Sequence, residues 1–315
     1  MRFASIALST AFLGLALLPV AASADGGGAT SPTAGGGAMY AQPVSEQPAQ
    51  TPRHRRRHRR KSRRRGPLLT QFRLARSRLF LYGRPARVTF TIKSRYRTVL
   101  VRLRVVRPGQ RRALSVISLG QRPTGIRQTY VLTGRENGIL SQGGYTLRIG
   151  ARDRRGRSLR HSSSIGRTTD LRFLHHRFPL AGPFGYGGPD ARFGTPRTGH
   201  THQGQDLVAA TGTPIVAPRG GTVTTVQYQA GGAGNYVVLS GESESYDYVF
   251  MHLRTGSTRV RVGQHVRTGQ RLGDVGATGD ASGPHLHFEI WRGTWFGGGH
   301  PIDPLPFLRR WDRWS

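Results

Sequence analysis

The stretch HQGQDLVAATGTPIVAPRGGTV, residues 202–223, decides the fold. Glycine and proline punctuate it, and the β-branched residues Val208, Ile215, Val216 and Val223 stand between the breaks, which describes short strands joined by turns rather than a helix. The later run HLHFEI, residues 285–290, has the same strand character. In a strand, side chains two or four apart share a face, so His202 and Asp206 point one way, as do His285 and His287. A straight strand would set His202 and Asp206 roughly 13 Å apart, too wide for two ligands that each lie ~2 Å from one ion. The backbone must curl between them, and Gly204, at the midpoint, permits a bulge or tight bend. Two imidazoles and one carboxylate leave a fourth tetrahedral position open for water, as in a catalytic zinc site; a structural site has no such vacancy.

Composition supports this donor set. The 315 residues contain no cysteine, which excludes a disulfide scaffold, a thiolate metal site and a catalytic thiol, so any metal must be held by nitrogen and oxygen. Apolar residues make up 36% and are diluted by 44 glycines, which argues against a helical bundle with a thick aliphatic core. At about 150 residues per domain the length favours two domains.

The formal charge of +33 is concentrated in the first half. Residues 53–177 carry 35 basic and 3 acidic groups, whereas residues 178–315 carry 12 and 10. Nearly all the cations are arginines, which fits either a GC-rich genome or selection for bidentate phosphate contacts.

The first 24 residues have the parts of a secretory signal: Arg2, an apolar run from Phe3 to Val20, and the exit Ala22-Ser23-Ala24, with cleavage expected after Ala24. The alternative is an uncleaved membrane anchor. Either way the mature chain is expected outside the cytoplasm, secreted or in the cell envelope. Residues 25–66 read as a disordered segment: a Gly/Ala/Pro-rich tether, then a run in which ten of the thirteen residues from Arg53 to Arg65 are cationic. After export, nucleic acid is not an expected partner for residues 53–65. The available polyanions are anionic wall polymers and lipid headgroups, and the alternative is a charged linker with no particular partner.

From Leu68 to about Ile165 apolar and polar residues alternate at period two, as in Val99-Leu100-Val101-Arg102-Leu103-Arg104-Val105, between Gly- and Pro-containing breaks. An antiparallel sheet with arginines on its open face is expected, packed as a small β-sandwich over 67–166. The stretch GGYTLRIGARDRRGR resembles the closing hairpin of bacterial immunoglobulin-like modules, in which a strand ends in an Asp-x-x-Gly turn.

The last ~135 residues resemble the lysostaphin-type (LytM-like) zinc endopeptidases, which cut peptide cross-links of bacterial cell walls. The resemblance rests on FPLAGPFG at 178–185, HQGQDL at 202–207, GTPIVAPRGGTV at 212–223, MHL at 251–253, VGQHVRTGQRLGDVGATGDASGPHLHFEI at 262–290, and the exit Ile302-Asp303-Pro304. It implies a mainly β fold with an antiparallel zinc peptidase domain over 178–310. It also implies Zn2+ held by His202, Asp206 and His287, with His252 and His285 as the catalytic histidines beside a zinc-bound water that attacks a peptide bond of peptidoglycan. Spacing does not say which of the two histidines is the principal base. Imidazole titrates in the range to which zinc brings its water, so a neighbouring histidine can take the proton and return it to the leaving amine. The implied activity is hydrolysis of stem peptides or cross-links; the alternative is a non-catalytic wall-binding or amidase-activating module on the same fold.

Phe250 stands where the family often has an aromatic hydroxyl. Of the remaining histidines, His161, His175 and His176 lie among arginines and are expected on solvated surface, as is His200. Glu289 either orients a ligand histidine or is ordinary sheet polarity.

Overall fold

Period-two alternation folds as expected into a mainly β protein. The computed structural model describes residues 65–313. The expected signal peptide over 1–24, and all but the last two residues of the segment 25–66, lie outside the described residues.

The first half contributes β1 (Leu68–Leu74), β2 (Arg78–Phe80), β3 (Ala86–Lys93), β4 (Thr98–Val106), β5 (Ala113–Pro123), β6 (Arg127–Leu132), β7 (Gly143–Arg152), β8 (Arg160–His161) and β9 (Thr168–Leu174). They form two sheets, ordered β6-β3-β1-β8 and β2-β9-β7-β4-β5. The buried sides of β3 (Val88, Phe90, Ile92), β4 (Val99, Val101, Leu103) and β7 (Tyr145, Leu147, Ile149) belong to one core. Arg102 and Arg104 stay exposed on the opposite side of β4, as the alternation requires.

Two details add to the sequence reading. The sheets are not wholly antiparallel, because the edge pairs β1–β8 and β2–β9 run parallel. The range 67–166 also leaves out β9, which pairs with β7 and buries Leu171 and Phe173 in the same core. The Asp-x-x-Gly turn is present. Asp153 Oδ1 accepts from the backbone N–H groups of Arg155 and Arg157 at 2.9 and 3.1 Å, and Gly156 takes φ +74°, a left-handed position suited to glycine.

The second half continues with β10 (Pro196–Arg197), β11 (His200–Thr201), β12 (Gln205–Val208), β13 (Pro214–Val216), β14 (Gly221–Gln229), β15 (Gly234–Gly241) and β16 (Tyr246–Leu253). It ends with β17 (His265–Val266), β18 (Arg271–Asp274), β19 (His285–Arg292), β20 (His300–Ile302) and the helix α1 (Leu305–Asp312). The main sheet runs β12-β19-β16-β15-β14-β17, with β20 added on β19, and β13 pairs separately with β18. Leu239, Tyr248, Phe250, Phe288 and Ile290 fill its core together with Leu308 and Trp311 of α1.

Polar contacts join the two halves. Tyr82 donates its hydroxyl to Ser243 Oγ at 2.8 Å, and the Thr268 N–H donates to the Tyr82 carbonyl at 3.1 Å. His175 and His176, expected on solvated surface, are both partly buried here. His175 Nε2 donates to the Leu140 carbonyl at 2.8 Å, and His176 lies 2.8 Å from Glu244 Oε2 with its ring stacked on Trp311 at 5.0 Å. The arginine-rich sequence surroundings do not reveal the Leu140 carbonyl that meets His175, nor the acid and the indole that meet His176 from the second half.

Candidate metal centre and cleft

Register in the main sheet places the site. β12 and β19 pair antiparallel with Asp206 opposite His287 and Val208 opposite His285, and β16 sets Met251 opposite His287. Directly opposed residues share a face, so Asp206 and His287 meet without any special loop. His202 precedes β12, and the chain bends at Gly204 to bring it back. Its N–H donates to the Thr195 carbonyl at 2.8 Å, and its Nδ1 donates to the Arg192 carbonyl at 2.7 Å.

Gly204 does more than permit a bend. A Cβ at this position would stand 2.6 Å from the Phe288 carbonyl oxygen and 2.8 Å from the His287 ring. Bare backbone is required because β19 and its histidine press directly on it. The sequence pointed to the right residue, but close approach is a second reason for it.

Three ligand atoms converge. His202 Nε2 lies 3.1 Å from Asp206 Oδ1 and 2.9 Å from His287 Nδ1, which is itself 2.9 Å from the same Oδ1. Four ligands about 2 Å from a tetrahedral ion stand roughly 3.3 Å from one another, close to this spacing. Each imidazole is fixed from its far side: His202 by the Arg192 carbonyl, and His287 by donating Nε2–H to Glu289 Oε1 at 2.9 Å. In the neutral rings those bonds leave His202 Nε2 and His287 Nδ1 as lone pairs facing each other and a carboxylate oxygen. Such an arrangement is repulsive without a cation among the three atoms. The donor set therefore fits a divalent metal, and all three residues offer one ligand atom each to a common point.

The electrostatics agree. Burial alone would raise the Asp206 carboxyl, but His202 and His287, which donate to it and carry charge when their rings are protonated, hold it well below the usual carboxylate range. Burial works against charge on His287, yet Asp206 and Glu289 outweigh it and push the ring up to about 9, so this position holds positive charge strongly, from a proton or a metal. Arg197 secures the other Asp206 oxygen, Oδ2, at 3.4 Å. The sequence offered no signal for Arg197, which reaches the site from β10.

His252 and His285 stand beside this group. Their ring centroids are 4.7 Å apart, and His252 is 6.0 Å from His287. Both are held in one tautomer by the backbone: Nδ1 of His252 donates to the Thr278 carbonyl at 2.8 Å, and Nδ1 of His285 to the Gly283 carbonyl at 2.9 Å. Each Nε2 is thereby left as the acceptor, and that of His285 lies 3.7 Å from Asp206 Oδ1. His252 takes φ +63°, a left-handed backbone that costs a non-glycine residue about 1–3 kcal/mol and that folds keep mostly at functional positions. Burial, ahead of the charges of His285 and His287, lowers His252 to about 4 although its bond to Thr278 opposes the shift. All five expected site residues thus line one cleft of about 820 Å³, walled also by Gln227, Tyr228, Trp295 and Phe296. His200 is exposed at the rim and does not join the three converging atoms. Phe250 offers no hydroxyl; it is fully buried against Phe288.

A β-sheet protein with a His–Asp–His group able to hold a metal at the base of a cleft is the class these features define. Residues 200–304 match the family described as Peptidase family M23. Similar proteins include an uncharacterized metalloprotease of Haemophilus influenzae, 47% identical over 89 residues that make up 28% of this chain and 18% of the relative. The peptidoglycan DD-endopeptidase ShyC of Vibrio cholerae is 41% identical over 89 residues, 28% of this chain and 20% of its own. Among solved structures, the catalytic domain of the antimicrobial peptidase lysostaphin from Staphylococcus simulans is 31% identical, covers 40% of this chain and 92% of that one, and has a TM-score of 0.35. The chain spans about a fifth of the length of these two curated relatives.

Proposed function

We propose that the chain is an exported zinc endopeptidase that hydrolyses peptide bonds in peptidoglycan stem peptides or cross-links. The observation that carries this reading is the meeting of His202 Nε2, Asp206 Oδ1 and His287 Nδ1 within 3.1 Å of one another, with two tautomer-locked histidines beside them. In the proposal these three residues hold the ion, and His252 and His285 are catalytic. When bound, zinc supplies Lewis acidity, polarising a carbonyl and lowering the pKa of water toward neutrality. The Nε2 lone pair of His252 or of His285 would accept one proton from the attacking water and return it to the departing amine. The residues lining the cleft all come from 197–296. Domain division follows the same proposal: a signal over 1–24, a basic arm that meets anionic wall polymers or headgroups through residues 53–65, a β-sandwich, and a peptidase domain over 178–310.

The test is mass spectrometry of muropeptides released from purified sacculi. The zinc-loaded wild type should release cleaved peptides and identify the bond cut. Chelation should abolish release, zinc should restore it, and His285→Ala should lower it by roughly 10²–10⁴-fold. A metal-loaded wild type that binds sacculi but releases nothing would instead support a non-catalytic wall-binding or amidase-activating module.

A further inference from the structure

Away from the metal centre, a second cavity of about 460 Å³ opens where the two halves of the chain meet. Six arginines line it: Arg76, Arg78 and Arg84 from around β2, Arg177 from the connection between the halves, Arg267 from the turn before β18, and Arg271 from the start of β18. No acidic side chain lines it. Arg271 is paired with Asp274 Oδ1 at 2.7 Å through its Nε. Among the described residues none of the other five has an ion pair, although Asp and Glu elsewhere in the second half are extensively paired.

We propose that this cavity is a binding site for a soluble, phosphate-bearing polyanion, whose phosphate groups are gripped by guanidinium groups from both halves of the chain. Surface arginines ordinarily spread into solvent, but here three separate segments direct them into one recess. Arg177 is only partly exposed, and the turn that faces it carries Gly269 at φ +77°, where a Cβ would come within 2.8 Å of the Arg177 Nη1. The guanidinium therefore lies directly against the turn rather than sweeping freely. Burial, and after it the charge of Arg78, lowers the Arg177 guanidinium, the mark of a cation held among cations. Such a cluster is repulsive by itself and becomes attractive once a multivalent anion enters. Guanidinium forks match phosphate bidentately, and several groups converging on one recess suit closely spaced phosphates better than a lone carboxylate. A bound anion would bridge the β2 region to the 267–271 turn, so binding should also strengthen the junction between the halves.

The test uses the full chain, in which the arm at 53–65 is present in every variant, and inorganic tripolyphosphate as probe. Arginine-selective dicarbonyl labelling read by mass spectrometry reports each side chain separately. At a probe concentration ten times the dissociation constant, labelling of Arg78, Arg84 and Arg177 should slow about tenfold, while the exposed Arg309 and Arg310 of α1 are little changed. The probe should raise the melting temperature of the wild type and of an Arg309→Gln/Arg310→Gln control, but not of Arg78→Gln/Arg177→Gln. Equal protection at Arg309 and Arg310 would overturn the site, and equal protection by citrate at matched charge would overturn the phosphate assignment. Protection only by vesicles containing phosphatidylglycerol, and not by soluble tripolyphosphate, would overturn the soluble ligand in favour of a membrane surface. Because the labelling is read on the wild type, a misfolded variant does not remove the test.

Discussion

His287 Nε2 lies 2.9 Å from Oε1 of Glu289, two residues farther along the same strand face, and Glu289 is only 2% exposed. The second carboxylate oxygen accepts from the Trp291 indole at 2.6 Å, so the acid is wedged between two donors. This arrangement fixes which ring nitrogen of His287 faces Asp206 and would increase its basicity toward a metal ion. Glu289→Gln cannot accept from both neighbours, because its amide nitrogen turns a donor toward one of them. The expected outcome is a fold unchanged by circular dichroism with zinc affinity about 10–100-fold weaker, measured by competition with a chromogenic chelator. Unchanged affinity would reduce Glu289 to ordinary sheet polarity.

His252 is lowered to about 4, against its usual 6.5. Between those values the unfolded chain binds more protons at this residue than the folded one. Its contribution to stability therefore falls as pH drops through that window, and the folded ring stays neutral until about pH 4. A neighbouring metal dication acts in the same direction. In an NMR titration of the folded protein the His252 ring should titrate near pH 4 or lower, and any acid loss of hydrolysis near pH 6 must come from another group. A His252 midpoint near 6.5 would contradict the burial that sets the shift.

The legibility of the molecule in its sequence varied with the range of the interaction. His202, Asp206, His285 and His287 stand in two short motifs whose spacing and glycine setting carry the chemistry, and the sheet register then brings them together. The strands β3, β4 and β7 could be read from alternation because one side is buried and the other wet. β9 was harder, because Leu171, Phe173 and Leu174 are all buried and blur the period-two signal at its end. The parallel edge pairs leave no local mark, since chain direction across a pair is a tertiary choice. The pairing of His176 with Glu244 spans 68 residues with no motif at either end, and Arg197 reaches Asp206 from a two-residue strand. Gly204 was legible as a bend, whereas its contact with β19 required knowing which strand lies beside it.

Glu244 ties the connection between the halves to the second core. Its Oε2 lies 2.8 Å from His176 Nε2 and 3.9 Å from Arg219 Nε, and its Oε1 accepts from the Tyr248 hydroxyl at 2.6 Å. Burial would raise this carboxyl, but the bonds from His176 and Tyr248 and the Arg219 charge hold it below the usual 4.5. A depressed folded value means the stabilisation is complete above the unfolded value and is lost as pH falls through the folded one. Glu244→Gln should cost about 2 kcal/mol at pH 7, and the gap in melting temperature from the wild type should narrow well below pH 4.5. A gap that persists unchanged at low pH would show that packing, not charge, is responsible.

Gly204→Ala offers a test of the site that leaves every ligand in place. The added methyl meets the Phe288 carbonyl oxygen at 2.6 Å and the Cε1 and Nε2 atoms of the His287 ring at 2.8 Å, distances that real Cβ atoms essentially never show. The carbonyl belongs to a central strand paired on both sides and cannot move far without breaking its ladder with β12 or β16. The His287 ring is held by Glu289, so moving it breaks that 2.9 Å bond. Relief must come by lifting His202 and the bend away from β19, which opens the 2.9 Å separation between His202 Nε2 and His287 Nδ1. The variant should lose zinc affinity by at least tenfold while His202, Asp206 and His287 all remain, with a destabilisation of about 1–3 kcal/mol from overpacking. Calorimetric zinc binding and thermal melts of the same preparation would separate the two effects. Wild-type affinity in a destabilised protein would mean that the bend can shift without disturbing the ligands, and that Gly204 serves packing alone.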